Sequence, residues 1–300
     1  MGFLFIIAGT LMWSLDTLIR YPLLSSLLPE TIVFAEHLIL TIAFLPIVLF
    51  AKKSIGTFKA SALFSFFVVG VVGSAISTLA FTTAFSLINP SLVILLQKLQ
   101  PILVIFLSSA ILKEKINRRF YMLALVAMAG GLMVSFPDLA PLLESGETEQ
   151  GVMLGYFLTL LAVAGWASAT VFGKRLSTQG FTESQIMSGR FLFGFVALLF
   201  YCLAHQTLPT FAMGLETFLK IIAMVLLSGF LGMYLYYKGL KLLSAHSASI
   251  AEMFFPVSAI VINWIFLGKS LQPVQVVGAV ILIGASVGLQ RKKESSSAGF

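Results

Sequence analysis

The chain has 300 residues, of which 59% are hydrophobic and only 10% are charged, and its mean hydropathy is +1.02. Because a soluble domain carries charge on roughly a quarter of its residues, this composition excludes an ordinary soluble domain and favours a protein surrounded by lipid. The formal net charge of +7 does not indicate nucleic-acid binding, since the basic residues form short clusters between apolar stretches.

Ten apolar stretches follow one another along the chain, each close to the roughly 20 residues that a membrane-spanning helix needs. They are predicted to be helices, because backbone groups in lipid must be paired within their own segment. The first stretch lacks the basic start and the cleavage site of a signal peptide, so it is predicted to be a retained span. The predicted spans are 2–20, 30–50, 59–84, 91–112, 119–136, 152–173, 183–204, 217–238, 247–268 and 273–290.

Lys and Arg are distributed unequally between the two sides of these spans. With the N-terminus in the cytoplasm, 14 of the 19 basic residues fall in the even-numbered connections or the C-terminal tail, and 3 fall in the odd-numbered connections. Cytoplasmic loops carry the excess of basic residues, so both termini are predicted to be cytoplasmic. Residues 137–151 are acidic and are predicted to be an external linker. The tail, 291–300, is predicted to be disordered, with its basic part near anionic lipid headgroups.

The two halves of the chain resemble each other. A shift of 153 residues places Trp13 on Trp166, and a shift of 155 places Pro101 on Pro256. Both prolines lie within spans, where each removes a backbone hydrogen bond and is expected to kink its helix. Further coincidences are Glu30 with Glu183, His37 with Arg190, Phe81 with Tyr236, and Gln97 with Glu252.

Each half holds five spans, an odd number, so the second half must enter the membrane in the opposite orientation. The sequence therefore predicts an all-α integral membrane protein of ten transmembrane helices in two inverted five-helix repeats, 1–136 and 152–290. Many secondary transporters have this architecture, with the substrate held near the midplane between the repeats.

Four charged residues lie deep within predicted spans. An unpaired charge at the bilayer centre costs about 2.5–3.5 kcal/mol on insertion scales, so such residues are expected to be paired or functional. Their depths predict two ion pairs, Glu36–Lys98 in the outer half and Arg190–Glu252 in the inner half. These pairs either line a central cavity and bind the charged ends of a substrate, or are static pairs that fix helix register.

The other candidate substrate-binding residues are polar or aromatic. His37 is either a proton-coupling group or a hydrogen-bonded structural histidine. Trp13 and Trp166 lie more than a turn from the interface where tryptophans usually sit, so they are predicted to form an aromatic cavity wall with Tyr234, Tyr236 and Tyr237. Of these tyrosines, Tyr234 is the candidate substrate-binding residue. Gln97, the counterpart of Glu252, is included in the candidate site. By contrast, Asp16 and Arg20, one turn apart, are predicted to form a local surface pair.

Several short motifs occur in an order and spacing that resemble the EamA-type family of the drug/metabolite transporter superfamily, over nearly the whole chain. The resemblance implies a bacterial inner-membrane permease, often an exporter of amino acids or related metabolites. Two departures are His37 where the second half has Arg190, and the absence of an acidic residue in 267–269. The motifs are Gly165-Trp166-Ala167, Arg190-Phe191-Leu192, Gln100-Pro101, Phe255-Pro256 and Leu112-Lys113-Glu114-Lys115.

The sequence contains no zinc-protease motif, no Walker A loop and no nucleophile elbow. We therefore expect no enzyme activity and no cofactor, and a driving force from an ion gradient, exchange or the substrate's own gradient. Three hypotheses remain: a secondary transporter that alternates access, a lipid-linked substrate flippase of the same fold, and a non-transporting scaffold or intramembrane enzyme. An acid and a base in each layer suit a zwitterion such as an amino acid. Proton or other ion coupling and a homodimer stay open.

Overall fold

A computed structural model describes residues 1–49, 59–88, 90–135, 149–209, 213–267 and 272–297 of the protein. Over these residues the secondary structure is entirely helical, which confirms the predicted all-α class. Seven helical stretches are long and apolar enough to cross a membrane: Gly2–Leu23, Pro29–Ile47, Ala60–Leu87, Leu92–Ile111, Gly151–Thr178, Glu183–His205 and Leu215–Leu242. The protein is therefore a multi-pass membrane protein.

The helices follow one another with short connections. Two helices contain π-helical stretches, one at Val68–Ile76 and one at Val225–Gly232. Most of the predicted external linker, 137–148, lies outside the described residues. In chain order the helices are α1 (Gly2–Leu23), α2 (Pro29–Leu49), α3 (Ala60–Leu87), α4 (Pro90–Leu96), α5 (Gln100–Ile111), α6 (Arg118–Ser135), α7 (Glu149–Thr178), α8 (Glu183–His205), α9 (Leu215–Leu242), α10 (Ala245–Glu252), α11 (Phe254–Leu267) and α12 (Pro273–Ser297).

The C-terminal tail differs from its prediction. Residues 291–297 continue α12 as a helix instead of being disordered. No proline or glycine lies between Leu289 and Ser297, so nothing in the sequence stops the backbone hydrogen bonding of the preceding span. Residues 298–300 lie outside the described part of the chain.

Both mid-span prolines interrupt their helices, as predicted. A 3-10 turn, Gln97–Leu99, separates α4 from α5 just before Pro101. Met253 separates α10 from α11 just before Pro256. A proline cannot donate to the carbonyl four residues before it, and those carbonyls belong to Gln97 and Glu252. The helix breaks therefore fall at two of the predicted site residues.

Helices of the first half pack mainly on helices of the second half. Helix α1 packs on α9 and α11, α3 on α7, α2 on α8, α5 on α7, and α6 on α12. The largest cluster of buried apolar side chains contains residues from both halves, including Ile6, Phe66, Phe172 and Tyr237. The two halves therefore share one core and enclose the space between them.

Gly165 on α7 faces α3 where the two backbones nearly touch. A Cβ at this position would lie 2.9 Å from the carbonyl oxygen of Val72 and closer still to the Ser77 hydroxyl. Gly165→Ala is therefore expected to lower the free energy of unfolding in detergent by about 1–3 kcal/mol, measured by thermal unfolding. Gly284→Ala is the control, because a Cβ there meets nothing within 4 Å. Equal melting temperatures for the two variants would contradict the prediction.

Glu114, in the connection between α5 and α6, ties the first half to the second. Its carboxylate accepts a hydrogen bond from the backbone N–H of Ala245 at 2.9 Å and lies 2.5 Å from Nδ1 of His246. It thereby caps the N-terminus of α10, where the helix dipole favours negative charge. Burial by itself raises the pKa of the Glu114 carboxyl, but the hydrogen bonds from His246 and Ala245 outweigh it and hold the pKa below its ordinary value of 4.5.

The stabilisation by Glu114 is expected to disappear in acid. Because its pKa is lower in the folded protein than in the unfolded chain, the contribution is complete above the unfolded value and is lost as the pH falls through the folded value. Glu114→Gln is expected to lower the free energy of unfolding by about 1–2 kcal/mol near neutral pH. Thermal unfolding of both proteins over a pH series measures this difference, with the exposed Glu216→Gln as control. A difference that stays constant into acid would refute the assignment.

Candidate functional site

A cavity lies between the two halves, and part of it is open to solvent. The space within it, counted together with the open part, is about 980 Å³. Helices α1, α2, α3, α7, α8 and α9 contribute to its wall, together with both helix breaks. Seven of the nine predicted site residues line it: Trp13, Glu36, His37, Gln97, Trp166, Arg190 and Glu252. The breaks explain why the side chains of Gln97 and Glu252 reach the same space from opposite halves.

Two predicted site residues do not line the cavity. The side chain of Tyr234 is 37% exposed, and it lies beside Lys238, whose Nζ is 5.9 Å from the ring centroid. Tyr236, two residues further along α9, lines the cavity instead. Successive helical residues point about 100° apart, so a choice among three clustered tyrosines fails without knowing which face is buried. Lys98 is buried but is not part of the lining either.

The outer part of the cavity holds a buried charge network that the sequence did not predict. Arg20 donates from Nε to Oδ2 of Asp16 at 2.7 Å and from Nη2 to Oε2 of Glu36 at 2.9 Å. The Ser228 hydroxyl of α9 donates to Oδ1 of Asp16 at 2.7 Å. The prediction of a local surface pair between Asp16 and Arg20 is therefore wrong. Spacing within α1 revealed the pair, but only the packing of α2 and α9 against it buries the pair.

Neither predicted intramembrane ion pair is a direct contact, although the charge of Arg190 lies near enough to act on the Glu252 carboxylate. Glu36 pairs with Arg20 of α1 rather than with Lys98. Arg190 donates from Nη1 to the Tyr237 hydroxyl at 3.3 Å and from Nη2 to a backbone carbonyl, that of Gly73, at 2.9 Å. The two predictions rested on depth alone, and depth does not specify which helices are neighbours.

Glu252 is held by an amide instead of a guanidinium. Its Oε2 accepts a hydrogen bond from Nε2 of Gln100 at 2.7 Å, across from the first half of the chain. Tyr236 and Thr170, whose hydroxyls are 2.7 Å apart, lie beside the same carboxylate. Sequence reasoning missed Gln100 as a site residue, although its position directly before Pro101 was an available signal. It placed Tyr236 in the aromatic wall but chose Tyr234 as the binding residue.

His37 makes two hydrogen bonds with its ring. Nδ1 donates to the backbone carbonyl of Val33 at 2.8 Å, which leaves Nε2 to accept from the Ser74 hydroxyl at 2.9 Å. Both ring nitrogens are thus occupied in the neutral form. Of the two predicted roles, this arrangement fits the hydrogen-bonded structural histidine.

Two aromatic pairs form facing parts of the cavity wall. The ring of Trp13 lies 5.4 Å from that of Tyr236, and the ring of Trp166 lies 4.7 Å from that of Phe81. Each pair joins a residue of one half to a residue of the other, and the two pairs correspond under the repeat. The predicted aromatic wall therefore exists, and it offers two flat apolar surfaces.

Several buried polar atoms of the wall have no partner within the described residues. Five such atoms belong to the cavity: Nη1 of Arg20, Oγ1 of Thr82, Oε1 of Gln97, Nε of Arg190 and Oε1 of Glu252. An unpaired buried polar group costs about 1–3 kcal/mol, so sites of this kind normally receive water or a ligand. The guanidiniums can donate, the Gln97 and Glu252 oxygens can accept, and the hydroxyl can do both.

Comparison with known proteins shows the family of this chain. The sequence model of the EamA-like transporter family matches the chain twice, over residues 1–136 and 153–290. This chain belongs to the EamA-like transporter family. It is therefore a membrane transporter.

Individual relatives agree with the family assignment. The riboflavin transporter ImpX of Fusobacterium nucleatum is 32% identical over 298 residues, which cover 94% of this chain and 95% of that protein. An uncharacterized transporter of Bacillus subtilis, YetK, is 26% identical over 187 residues, or 61% of this chain and 54% of that protein. A crystal structure of a protein superimposes with a TM-score of 0.75 over 96% of each chain at 15% identity, which shows a shared fold alone.

Proposed function

We propose that this transporter carries riboflavin, or a closely related planar heterocyclic metabolite, by alternating access through the central cavity. The observation that carries the proposal is the set of unpartnered buried donors and acceptors between two aromatic pairs. An isoalloxazine ring has flat apolar faces and an edge that alternates carbonyl acceptors with an imide donor. A ribityl chain adds hydroxyls, which can pair with either kind of group.

The same geometry weakens the case for an amino acid. That hypothesis needed a free acid and a free base in each layer of the membrane. In the outer layer Arg20 already neutralises one carboxylate and is bound to a second, and Lys98 is not part of the cavity wall. Arg190 and Glu252 still offer opposite charges in one cavity, so a zwitterion remains the competing substrate in the experiment below. An uncharged ligand that has both hydrogen-bond donors and acceptors can pair with more of the polar groups in the cavity wall than a zwitterion can.

We further propose that the chain crosses the membrane ten times as two inverted repeats. The repeat is supported by matched irregularities: π-helical stretches in α3 and α9, breaks before both prolines, and extended backbone at Ile88 and Leu243, which are 155 residues apart. It is also supported by packing that is symmetric under exchange of the halves, and by the double match to the family. Helices α10 and α11 together would form one crossing.

In this arrangement both termini face the cytoplasm, as the distribution of Lys and Arg predicts, and a bacterial inner membrane is the expected location. The cytoplasmic ends are then the closed side of the transporter. Glu114 holds the start of α10, and Lys174 donates to the carbonyls of Leu240 and Lys241 at 2.9 and 3.0 Å. Opening toward the cytoplasm would require these contacts to separate.

Counterflow in liposomes tests the proposed substrate. Purified protein is reconstituted into vesicles loaded with unlabelled riboflavin, and entry of labelled riboflavin is followed against protein-free vesicles. We expect transient accumulation that unlabelled riboflavin abolishes and a panel of amino acids does not. Counterflow with an amino acid but not riboflavin would reverse the assignment. Movement of a lipid-linked substrate alone would favour the flippase, and movement of none of them would favour the scaffold. Export, which the family resemblance implies, is tested by initial rates from each side.

Glu252→Gln is expected to weaken riboflavin binding while leaving the fold intact. The substitution keeps a side chain that Gln100 can contact, but it replaces one carboxylate oxygen, an acceptor, with an amide nitrogen, which can only donate. A buried group left without its hydrogen bond costs about 1–3 kcal/mol, so the concentration for half-maximal counterflow should rise about fivefold to a hundredfold. Glu216→Gln, on the exposed start of α9, is the matched control. Unchanged concentration dependence in Glu252→Gln would remove this residue from the site.

A further inference from the structure

Lys98 is a buried amine that the substrate site does not use. Its side chain is 4% exposed, and it makes no hydrogen bond or ion pair with any of the described residues. Its Nζ lies over the ring of Phe255, 5.4 Å from the ring centroid. An unpaired ammonium in the middle of a membrane protein is costly. A lysine at this position is therefore expected to have a function that uses its charge or its proton.

No acidic side chain forms an ion pair with Lys98 among the described residues of the elements around it. Helices α4, α5 and α11 carry no titratable side chain. Helix α10, which packs on α5, carries His246, paired with Glu114, and Glu252, whose carboxylate is bound by Gln100. Those of α6 are Arg118, Arg119 and Tyr121 in its first turn, and none of them is paired with Lys98. Helix α7 carries Glu149 at its first residue, Tyr156 in its outer half, and Lys174 and Arg175 near its cytoplasmic end. The ammonium form of Lys98 is therefore not balanced in the conformation described here.

Lys98 nevertheless lies beside the cavity, at a break in its helix. It is the central residue of the 3-10 turn Gln97–Leu99, between α4 and the proline of α5. Gln97, directly before it, and Gln100, two residues after it, both line the cavity, as does Phe255. A 3-10 turn within a helix often marks a hinge, and a rotation of this turn would carry Nζ past Phe255 toward the cavity.

We propose that Lys98 is the proton-coupling site of the transporter. In the buried position it is the neutral amine. When the turn rotates, Nζ reaches the water of the cavity and takes a proton from the side to which the cavity is open. When access changes to the other side, the ammonium releases that proton there and returns to its buried position. One proton then crosses for each substrate cycle, and no other reactant is needed. This inference rests on the proposed function and adds an ion to it.

Vesicles with a pH gradient test the inference. Wild-type protein and Lys98→Met are compared for riboflavin counterflow without a gradient and for net accumulation across one pH unit, with the membrane potential clamped at zero. One pH unit is worth 1.36 kcal/mol per proton, so one-proton coupling gives about tenfold accumulation. We expect this in the wild type only, while Lys98→Met keeps counterflow. Lys220→Met, an exposed lysine of α9, should behave as the wild type.

The outcomes separate this inference from the proposed function. Accumulation by Lys98→Met that equals the wild type overturns the coupling role. Absence of accumulation by the wild type under the pH gradient overturns it as well. Both results leave riboflavin transport standing. Absence of wild-type counterflow removes the proposed function and this inference together. Where Lys98→Met does not yield monodisperse protein, Lys98→Arg decides, because its guanidinium stays protonated and should also lose accumulation.

Discussion

Arg20→Met is expected to destabilise the folded protein by about 3–5 kcal/mol, because it leaves the Asp16 and Glu36 carboxylates buried with no cation between them. The side chains of all three residues are more than nine-tenths buried, so water compensates the two carboxylates far less well than the guanidinium does. The measurement is thermal or denaturant unfolding in detergent. Loss of most folded protein during purification would be the same effect at the upper end of its range.

The Glu216–Lys220 pair is the matched control for this prediction. It has the same spacing along a helix as Asp16–Arg20, but its side chains are 82% and 49% exposed. Exposed pairs of this kind contribute about 0.2–1 kcal/mol, so Lys220→Met should change stability little. Combining Arg20→Met with Asp16→Asn and Glu36→Gln should recover much of the loss, since no uncompensated charge is left. If Arg20→Met is as stable as Lys220→Met, the buried network has been misassigned.

Riboflavin 5′-phosphate is expected to compete for transport at least about a hundredfold less well than riboflavin. The cavity wall has three carboxylates, on Asp16, Glu36 and Glu252, against the two guanidiniums of Arg20 and Arg190. A phosphate monoester brings about −1.5 to −2 charges at neutral pH. Placing it beside like charges costs several kcal/mol. Inhibition of riboflavin counterflow by each compound measures the ratio.

Comparing these two compounds isolates the effect of the phosphate, because they differ in no other group. The ring, the imide edge and the rest of the sugar chain are unchanged, so packing against Trp13 and Trp166 is the same for both. Equal competition would mean that the phosphate lies outside the acidic cavity. It would place the substrate elsewhere or leave its chain in solvent. Better competition by the phosphate would contradict the proposed substrate class.

The prediction of an all-helical membrane protein required only local information. Hydrocarbon has no hydrogen-bonding partners, so each apolar stretch must satisfy its own backbone as a helix. A proline removes a hydrogen bond from the carbonyl four residues earlier whatever surrounds it. For the same reason the breaks before Pro101 and Pro256 were predictable, and they placed Gln97 and Glu252 at the site.

Contacts between helices were not predictable in the same way. The sequence gives the depth of Glu36, Lys98, Arg190 and Glu252 along their helices, but not the rotation of each helix or its neighbours. The predicted pairs were therefore wrong, although all four residues are largely buried. Asp16 and Arg20 were recognised as partners through their spacing, yet their burial depends on α2 and α9, which are far away in sequence.

The sequence alone predicts the membrane class, the helical secondary structure, the proline breaks and seven of the residues that line the cavity, because each depends on the solvent or on the local backbone. Three features required the packed structure: which charges meet, the position of Tyr236 rather than Tyr234 at the cavity, and the lack of an ion-pair partner for Lys98 among the described residues. These depend on the orientation of each helix about its axis. That orientation is set by side-chain packing across the two halves, where a rotation by one residue exchanges cavity and lipid.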